Sequence, residues 1–178
     1  SRYSTLQENW RHDIYYSSRV IKEKVMVVQM DNALSRYSED QAEKLAADIE
    51  KARENGYIIL ILQHVPIVTN NPEYKEIRPI YTNDSTVVYD FSANTDSNGK
   101  NFDGVRTNKD AATTKVYNLI TQNADVIKGL FCGHYHDDFY CEVKATEKDG
   151  TETVIPQYVL ESTAFDSGKG PVLKITVK

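Results

Sequence analysis

The chain has 178 residues, a length that fits one domain and is enough to bury a hydrophobic core. Apolar residues make up 40% of it, an ordinary share for a folded protein, so disorder is not the default expectation. The net charge of −5 provides no basic surface of the kind that binds nucleic acid through its phosphates. The sequence has no apolar run long enough to span a bilayer, and its start is polar, so we expect neither a membrane segment nor a signal peptide.

The two cysteines, Cys132 and Cys141, are too few for a disulfide framework and do not have the spacing of a zinc site. We interpret them as two buried thiols, and a disulfide across neighbouring strands is the alternative. The polar composition, rich in Asn and Tyr, is associated with secreted or cell-envelope proteins, and the compartment is left open.

The first half of the chain predicts a strand, a helix and a second strand. The apolar run Val25–Asp31 is typical of a buried strand. Ser38, with Gln41 three residues later, predicts a capping box at the start of a helix that ends at Gly56. Tyr57–Leu62 is apolar throughout and predicts a strand that is covered on both faces. This order favours a parallel crossover unit.

The middle of the chain is less regular. Ile67–Asn108 has no strong periodicity and predicts a long loop, which in a compact domain is usually a lid, a binding loop or a disordered segment. Asp110–Asn123 has apolar residues at helical spacing and predicts a second helix. Val126–Cys132 predicts another buried strand.

The last part of the chain predicts further strands. Phe139–Thr146 and Thr153–Leu160 flank Asp149-Gly150, a strong signal for a two-residue hairpin. Val172–Val177 alternates as a final strand. The sequence therefore predicts an α/β fold in a single domain over residues 1–178, with a mixed β-sheet, flanking helices and antiparallel last strands.

Three histidines follow the ends of predicted buried strands. His64 comes after the second strand, and His134 and His136 come after the strand that ends at Cys132. Ligands bind at the carboxyl ends of strands in open α/β sheets, and imidazoles from neighbouring strands can form a metal cluster. Because His134 and His136 are two apart, extended backbone would place both on one side, and Gly133 would let the chain leave the strand tightly. His12 lies in a polar stretch, and we interpret it as structural.

The segment Gly133-His134-Tyr135-His136 resembles the Gly-His-x-His motif of calcineurin-like metallophosphoesterases. His64-Val65-Pro66 resembles the single-histidine motif that precedes it in that family. The strand that ends at Asp31 and the capped helix that starts after Ser38 are similar to the family's order, so the resemblance covers about Tyr15 to the C-terminus. It implies the C-terminal portion of an αββα-type metallophosphoesterase sandwich.

The family's upstream motifs, Asp-x-His, Gly-Asp and Gly-Asn-His-Asp/Glu, have no counterpart in this sequence. Asn32 follows Asp31, but in a different element. We therefore interpret the chain as a C-terminal fragment of the domain, a truncated or proteolysed product without the acidic half of the metal site. Loss of half of a two-sheet domain would expose apolar surface and sheet edges, which favours self-association.

The resemblance implies a phosphatase or phosphodiesterase with two divalent ions, Mn, Fe or Zn, about 3.5 Å apart or slightly more. His64 and His134 would hold one ion and His136 would help to hold the other, while a metal-bridging hydroxide attacks phosphorus in line. The substrate would be a small phosphate ester or a phosphoprotein. The resemblance implies that the catalytic acid lies in the missing upstream motif, so we assign no catalytic residue to this chain and expect it to hydrolyse phosphate esters poorly or not at all.

Residues near the motif and in the long loop are further candidates. Asp137 either orients a ligand histidine or lies in a solvated turn. Arginines and tyrosines of the long loop either form a substrate lid, in which Arg contacts phosphate and Tyr stacks on a base, or lie on the surface of an insertion. The lid candidates are Tyr74, Arg78, Tyr81, Tyr89 and Arg106.

Two other functions fit the same histidines. A mononuclear zinc hydrolase with three histidine ligands would be complete within this chain. A non-catalytic binding module would use the histidines as structural residues and contact a protein through the long loop. The number of ions bound and the response to a chelator distinguish these alternatives from a two-metal phosphoesterase.

Overall fold

Six strands form one mixed sheet in the part of the chain that the computed structural model describes, which is residues 15–33, 36–68, 111–134, 138–161 and 173–176. The strands are β1 (Tyr16–Ile21), β2 (Val25–Met30), β3 (Ile58–Gln63), β4 (Ile127–Cys132), β5 (Phe139–Thr146) and β6 (Glu152–Val159). The helices are α1 (Glu39–Asn55) and α2 (Ala111–Thr121). The predicted α/β class is therefore confirmed.

The strand order is β1-β2-β3-β4-β6-β5. The four inner strands, β2, β3, β4 and β6, run parallel to one another, while β1 and β5 pair antiparallel with them at the two edges. The parallel pairing of β2 with β3 confirms the predicted crossover unit. The hairpin of β5 and β6 is also confirmed, but β6 adds to β4 by its other side, so the hairpin inserts its second strand next to the parallel part of the sheet.

Local sequence signals explain where α1 starts and ends. The Ser38 hydroxyl accepts a hydrogen bond from the Gln41 backbone N–H (3.1 Å), and the Gln41 side chain accepts one from the Ser38 N–H (2.7 Å). This is the predicted capping box. At the other end, Gly56 has a left-handed backbone with φ 66°, and its N–H bonds to the last carbonyls of the helix.

The edge strand β1 was not predicted, because the chain there is polar and charged and most of its side chains are exposed. Its strand structure depends on antiparallel pairing with β2. Tyr16 attaches β1 to α1, since its buried ring joins the core and its hydroxyl donates to an Asp48 carboxylate oxygen at 2.7 Å. Burial, together with this carboxylate, raises the pKa of Tyr16.

One face of the sheet packs against both helices, and the main hydrophobic core lies between this face and the helices. Alternate strand residues point into it, as the pleat requires. Each large aliphatic side chain buried there contributes roughly 1.5–3 kcal/mol relative to exposure. The largest fully buried side chains are Met26, Met30, Leu45, Ile49, Ile59, Ile61, Ile67, Ile120, Ile127 and Leu130.

The opposite face of the sheet has a smaller apolar cluster formed by strand side chains. Val25, Leu60 and Phe131 are buried there, and Tyr158 packs against them with its ring stacked on that of Phe131 at 5.4 Å between centroids. Leu62, on the same face of β3, is 37% exposed. The prediction that β3 is covered on both faces therefore holds at Leu60 and is wrong at Leu62.

Two other predictions about the last part of the chain are corrected. Residues 173–176 of the predicted strand Val172–Val177 are irregular, and Leu173 and Ile175 are exposed, because alternation alone does not make a strand without a paired neighbour. The connection between β5 and β6 spans residues 147–151, which is longer than the predicted two-residue turn, although Gly150 does take the expected left-handed conformation with φ 88°.

The two cysteines are free thiols, and both are buried. They lie on β4 and β5, which are separated by β6, so they are not on neighbouring strands. This agrees with the interpretation of Cys132 and Cys141 as two buried thiols. Among the described helices, neither is long and apolar enough to cross a membrane.

Candidate metal centre

The structure brings together two of the three histidines that the sequence predicts as metal ligands. His64 follows β3 and His134 comes two residues after β4, and these adjacent strands are parallel, so their carboxyl ends meet at one edge of the sheet. Nδ1 of His134 lies 3.1 Å from Nε2 of His64. The two rings are nearly perpendicular, at 87°, with 5.0 Å between their centroids. Two imidazole nitrogens therefore point at each other at this edge.

Backbone geometry joins the two segments that present these rings. The Gly133 N–H donates to the His64 carbonyl oxygen at 3.0 Å, which extends the pairing of β3 and β4 by one step. His134 has φ 79°, a left-handed conformation that costs an L-residue roughly 1–2 kcal/mol. The prediction of extended backbone at this histidine is therefore wrong, and the left-handed residue is His134 and not Gly133.

The imidazole pair is accessible to solvent, since the His64 side chain is exposed and His134 is half-buried. One of the two facing nitrogens must carry a hydrogen for the contact to be a hydrogen bond. The spacing is also close to that of two metal ligands, because two nitrogens at about 2.1 Å from one tetrahedral ion would lie roughly 3.4 Å apart, slightly more than the 3.1 Å between these two. The donor atoms present at this edge therefore fit two ligands of one divalent ion.

The described residues do not complete a metal site. Within the ranges that the structure describes, no group of three or more His, Cys, Asp or Glu side chains is placed to hold an ion. The predicted third ligand, His136, and the predicted orienting residue, Asp137, lie outside the described residues. The candidates for a substrate lid also lie outside them, and these are Tyr74, Arg78, Tyr81, Tyr89 and Arg106.

Cys132 is close to the pair in sequence but does not suit ligation. Its side chain is 4% exposed on the core face of β4. Burial raises the pKa of its thiol, against the opposing effect of a hydrogen bond with Gln63. Because metals bind the thiolate, Cys132 belongs to the core and not to the candidate centre.

One residue that supports the pair was not predicted. Asn32 lies two residues after β2 and is buried, and its side-chain oxygen accepts hydrogen bonds from the N–H groups of His64 (3.0 Å) and Val65 (2.8 Å). In the sequence it is no candidate, because it lies in a different element from the family's asparagine. The available signal was its place just beyond the carboxyl end of a strand that neighbours the one before His64.

No protein-family model matches the sequence of this chain. No curated protein matches it at a significant level.

Proposed function

We propose that this chain provides histidine ligands to the metal centre of a calcineurin-like metallophosphoesterase, an enzyme that hydrolyses phosphate esters with two divalent ions. The observation that supports this proposal is the approach of His64 Nε2 and His134 Nδ1 to 3.1 Å at the carboxyl ends of adjacent parallel strands. His136, two residues after His134, would be a ligand of the second ion. The ions would be Mn, Fe or Zn, because imidazole suits borderline divalent metals.

The chemistry of the pair follows from its two ring nitrogens. A metal binds neutral imidazole, so an ion at the pair would require that both facing nitrogens be free of hydrogen and that each ring carry its hydrogen on the far nitrogen. Divalent ions at such a centre supply positive charge for the phosphate oxygens and lower the pKa of water. His64 and His134 hold and orient the centre, and their exposure leaves one side open to a phosphate ester. In an acidic chain with a net charge of −5, a metal would supply positive charge at the place where a phosphate binds.

The second face of the sheet supports the finer fold assignment, one layer of an αββα sandwich. Leu60 and Phe131 form an apolar centre on this face, and Leu62 and Tyr140 at its border are 37% and 52% exposed. In a two-sheet sandwich the inner faces of the two sheets pack about 10 Å apart and are lined by such residues. Helices on one face and an apolar second face are the pattern expected of one half of that architecture.

Calorimetric titration with Mn²⁺ and with Zn²⁺ tests the metal centre. The unchanged chain is compared with His64→Ala, His134→Ala and the matched control His12→Ala, which removes the one histidine outside the two candidate motifs. We expect binding by the unchanged chain and by His12→Ala. We expect at least about a tenfold loss of affinity in the other two variants, because each removes a ligand from the ion.

The stoichiometry separates the alternatives. Two ions per chain would support the two-metal centre, while a single tightly held zinc would favour a mononuclear hydrolase with three histidine ligands. Binding that His12→Ala reduces as much as His134→Ala would indicate unspecific coordination and contradict the proposal. If the chain binds no metal ion and a chelator does not change its free energy of unfolding, the result would favour the non-catalytic binding module.

Hydrolysis of p-nitrophenyl phosphate and of bis(p-nitrophenyl) phosphate tests the catalytic part. We expect slow or undetectable turnover by this chain with Mn²⁺, because the described residues contribute nitrogen ligands without a bridging carboxylate. Rapid turnover that His134→Ala abolishes would contradict this expectation and show that the chain carries a complete active centre.

A further inference from the structure

The side chain of Asn32 uses all of its hydrogen-bonding positions in a buried site. Its oxygen accepts from the N–H groups of His64 and Val65, and its nitrogen donates to the Val65 carbonyl (2.9 Å) and to the Tyr37 hydroxyl (3.1 Å). A carboxamide has two acceptor and two donor positions, so none is left unused. Asn32 is 1% exposed, and buried polar groups are expensive to leave without partners. The arrangement therefore specifies an amide at this position.

Asn32 belongs to a closed set of hydrogen bonds around the turn that follows β3. The Tyr37 hydroxyl, which accepts from Asn32, donates to the Gln63 side-chain oxygen at 2.8 Å. The Gln63 nitrogen donates to the Val65 carbonyl at 3.0 Å, which is the same oxygen that Asn32 contacts. Buried networks in which every member is paired fix a single geometry. Asn32 and Gln63 thus both bind the Val65 carbonyl oxygen, and the Tyr37 hydroxyl links these two side chains to each other.

The backbone of His64 is held from the two neighbouring strands at once. On the side of β2, the Asn32 oxygen binds its N–H, and on the side of β4, the Gly133 N–H binds its carbonyl. A side chain that starts from a backbone fixed at both groups has only its own rotamers left to search. We propose that Asn32 is a positioning residue that holds the His64 imidazole opposite His134 in the geometry that binds a metal ion. The consequence for metal binding rests on the function proposed above, whereas the positioning itself does not.

The hydrogen bonds of the amide explain why neither aspartate nor alanine would replace asparagine at this position. Aspartate would keep the acceptor for the two N–H groups but would put a second oxygen against the Val65 carbonyl, where the donor now lies. Alanine would leave the N–H groups of His64 and Val65 without acceptors in a buried site. In both cases the turn relaxes to find other partners, and the His64 ring moves with it.

The chain offers a matched control in Asn123, a second buried asparagine with 1% exposure. Its nitrogen donates to the Leu119 carbonyl (2.7 Å) and its oxygen accepts from the Arg53 guanidinium (2.8 Å). It precedes β4 and so lies at the amino ends of the parallel strands, away from the histidine pair. Asn32→Ala and Asn123→Ala both remove a buried amide. The two variants differ mainly in position, because only Asn32 lies beside the histidine pair.

Two measurements on the full chain test the proposal. In the metal-free protein, imidazole ¹⁵N resonances are recorded and assigned with His64→Gln and His134→Gln. In parallel, Co²⁺ is titrated and followed by its visible absorption. We expect Asn32→Ala to shift the resonances of both paired rings and to weaken Co²⁺ binding by about 10- to 100-fold, the range seen when the partner of a ligand is removed. Asn123→Ala should leave both readouts within about twofold of the unchanged chain, because it touches no ligand.

A milder variant protects the test against loss of folding. Tyr37→Phe keeps Asn32 and removes only one of its partners, so we expect a folded protein and a smaller loss of Co²⁺ affinity, about two- to fivefold. If neither Asn32→Ala nor Tyr37→Phe moves the imidazole resonances, the positioning role is wrong. Equal effects of Asn123→Ala and Asn32→Ala would also contradict it, since the effect would then follow general destabilisation. If the unchanged chain binds no Co²⁺ but Asn32→Ala still shifts both rings, the positioning role stands and the proposed metal function fails.

Discussion

The two ends of the parallel strands are built from similar residues and used differently. At the amino ends, Asn123 and Asp125 bind the Arg53 guanidinium, and Gly56 takes the left-handed conformation that closes α1. At the carboxyl ends, Asn32 binds the backbone of His64, and the left-handed residue is His134. The amino end also has a left-handed residue other than glycine, Lys22, with φ 55° in the exposed turn before β2. At the carboxyl end the strained residue is a histidine whose ring faces a second imidazole, and strain of this kind is often found at functional sites.

The largest expected effect on stability comes from the hydrophobic core, which lies between the two ends of the strands. Leu130 is fully buried at the centre of β4. Leu130→Ala should lower the free energy of unfolding by roughly 2–5 kcal/mol, because it removes buried methyl groups and leaves a cavity. Urea unfolding followed at both ends, by the His134 resonances and by the Asn123 amide, should give one midpoint. Separate midpoints would show that the ends are independent units and weaken the comparison.

The left-handed residues provide the next test. Gly56→Ala should cost about 1–2 kcal/mol of stability, because a Cβ is strained at a φ of 66°. At the other end, His134→Gly should be more stable than His134→Ala by a similar amount, since glycine adopts a φ of 79° without strain. Thermal unfolding of the unchanged chain and these three variants measures both differences. Equal stability of the two His134 variants would argue against strain at the candidate centre.

The ion pairs at the amino ends should have a smaller effect. The Arg53 side chain is 35% exposed and contacts Glu50 and Asp125. Asp125→Asn removes one of these charges and keeps the bond from Arg53 to Asn123, so it should lower the free energy of unfolding by about 1 kcal/mol or less, and the loss should shrink in about 1 M salt, where screening is strong. Its Co²⁺ affinity should match that of the unchanged chain. A loss of ion binding in this variant would mean that the two ends are coupled through the sheet.

The smallest effect is expected at Gly133. A Cβ added there would have one neighbour within contact distance, the His64 Nδ1 atom at 3.9 Å, which is ordinary van der Waals contact. Gly133→Ala should therefore change stability by less than about 1 kcal/mol and leave the backbone bond to His64 intact. Gly129→Ala is the contrasting variant in the same segment, because its Cβ would lie 3.2 Å from the Phe131 ring. Similar losses of stability in the two variants would mean that the end of β4 tolerates an added methyl group no better than its middle does.

The parts of the fold that the sequence predicts are those whose signals are local. The boundaries of α1 follow from Ser38, Gln41 and Gly56, which act on backbone groups within one turn. The edge strand β1 escaped prediction because its strand conformation comes from β2 and its exposed side chains show no pattern. The predicted strand at residues 172–177 is the opposite case, an alternating pattern that is not a strand where residues 173–176 are described.

The candidate site divides in the same way. The rule that ligands gather at carboxyl ends of parallel strands was enough to predict that His64 and His134 lie together. The role of Asn32 depends on a contact between residues 32 positions apart in the chain, and nothing in its local sequence indicates it. The left-handed backbone of His134 was missed because a histidine gives no conformational signal of the kind that glycine does.

The insertion of β6 between β4 and β5 connects the end of β4 to a hairpin that lies later in the chain. On the side away from β3, the parallel neighbour of β4 is β6, which follows β5 in the chain. The hairpin of β5 and β6 can form early, because its pairing is local, whereas its docking on β4 requires a more distant contact. The Leu160 N–H completes that docking by bonding to the Cys132 carbonyl, next to Gly133 and His134. The segment that leads from β4 to His134 therefore has β3 on one side and, on the other, the residue that follows β6, and it gains this second neighbour only when the hairpin docks.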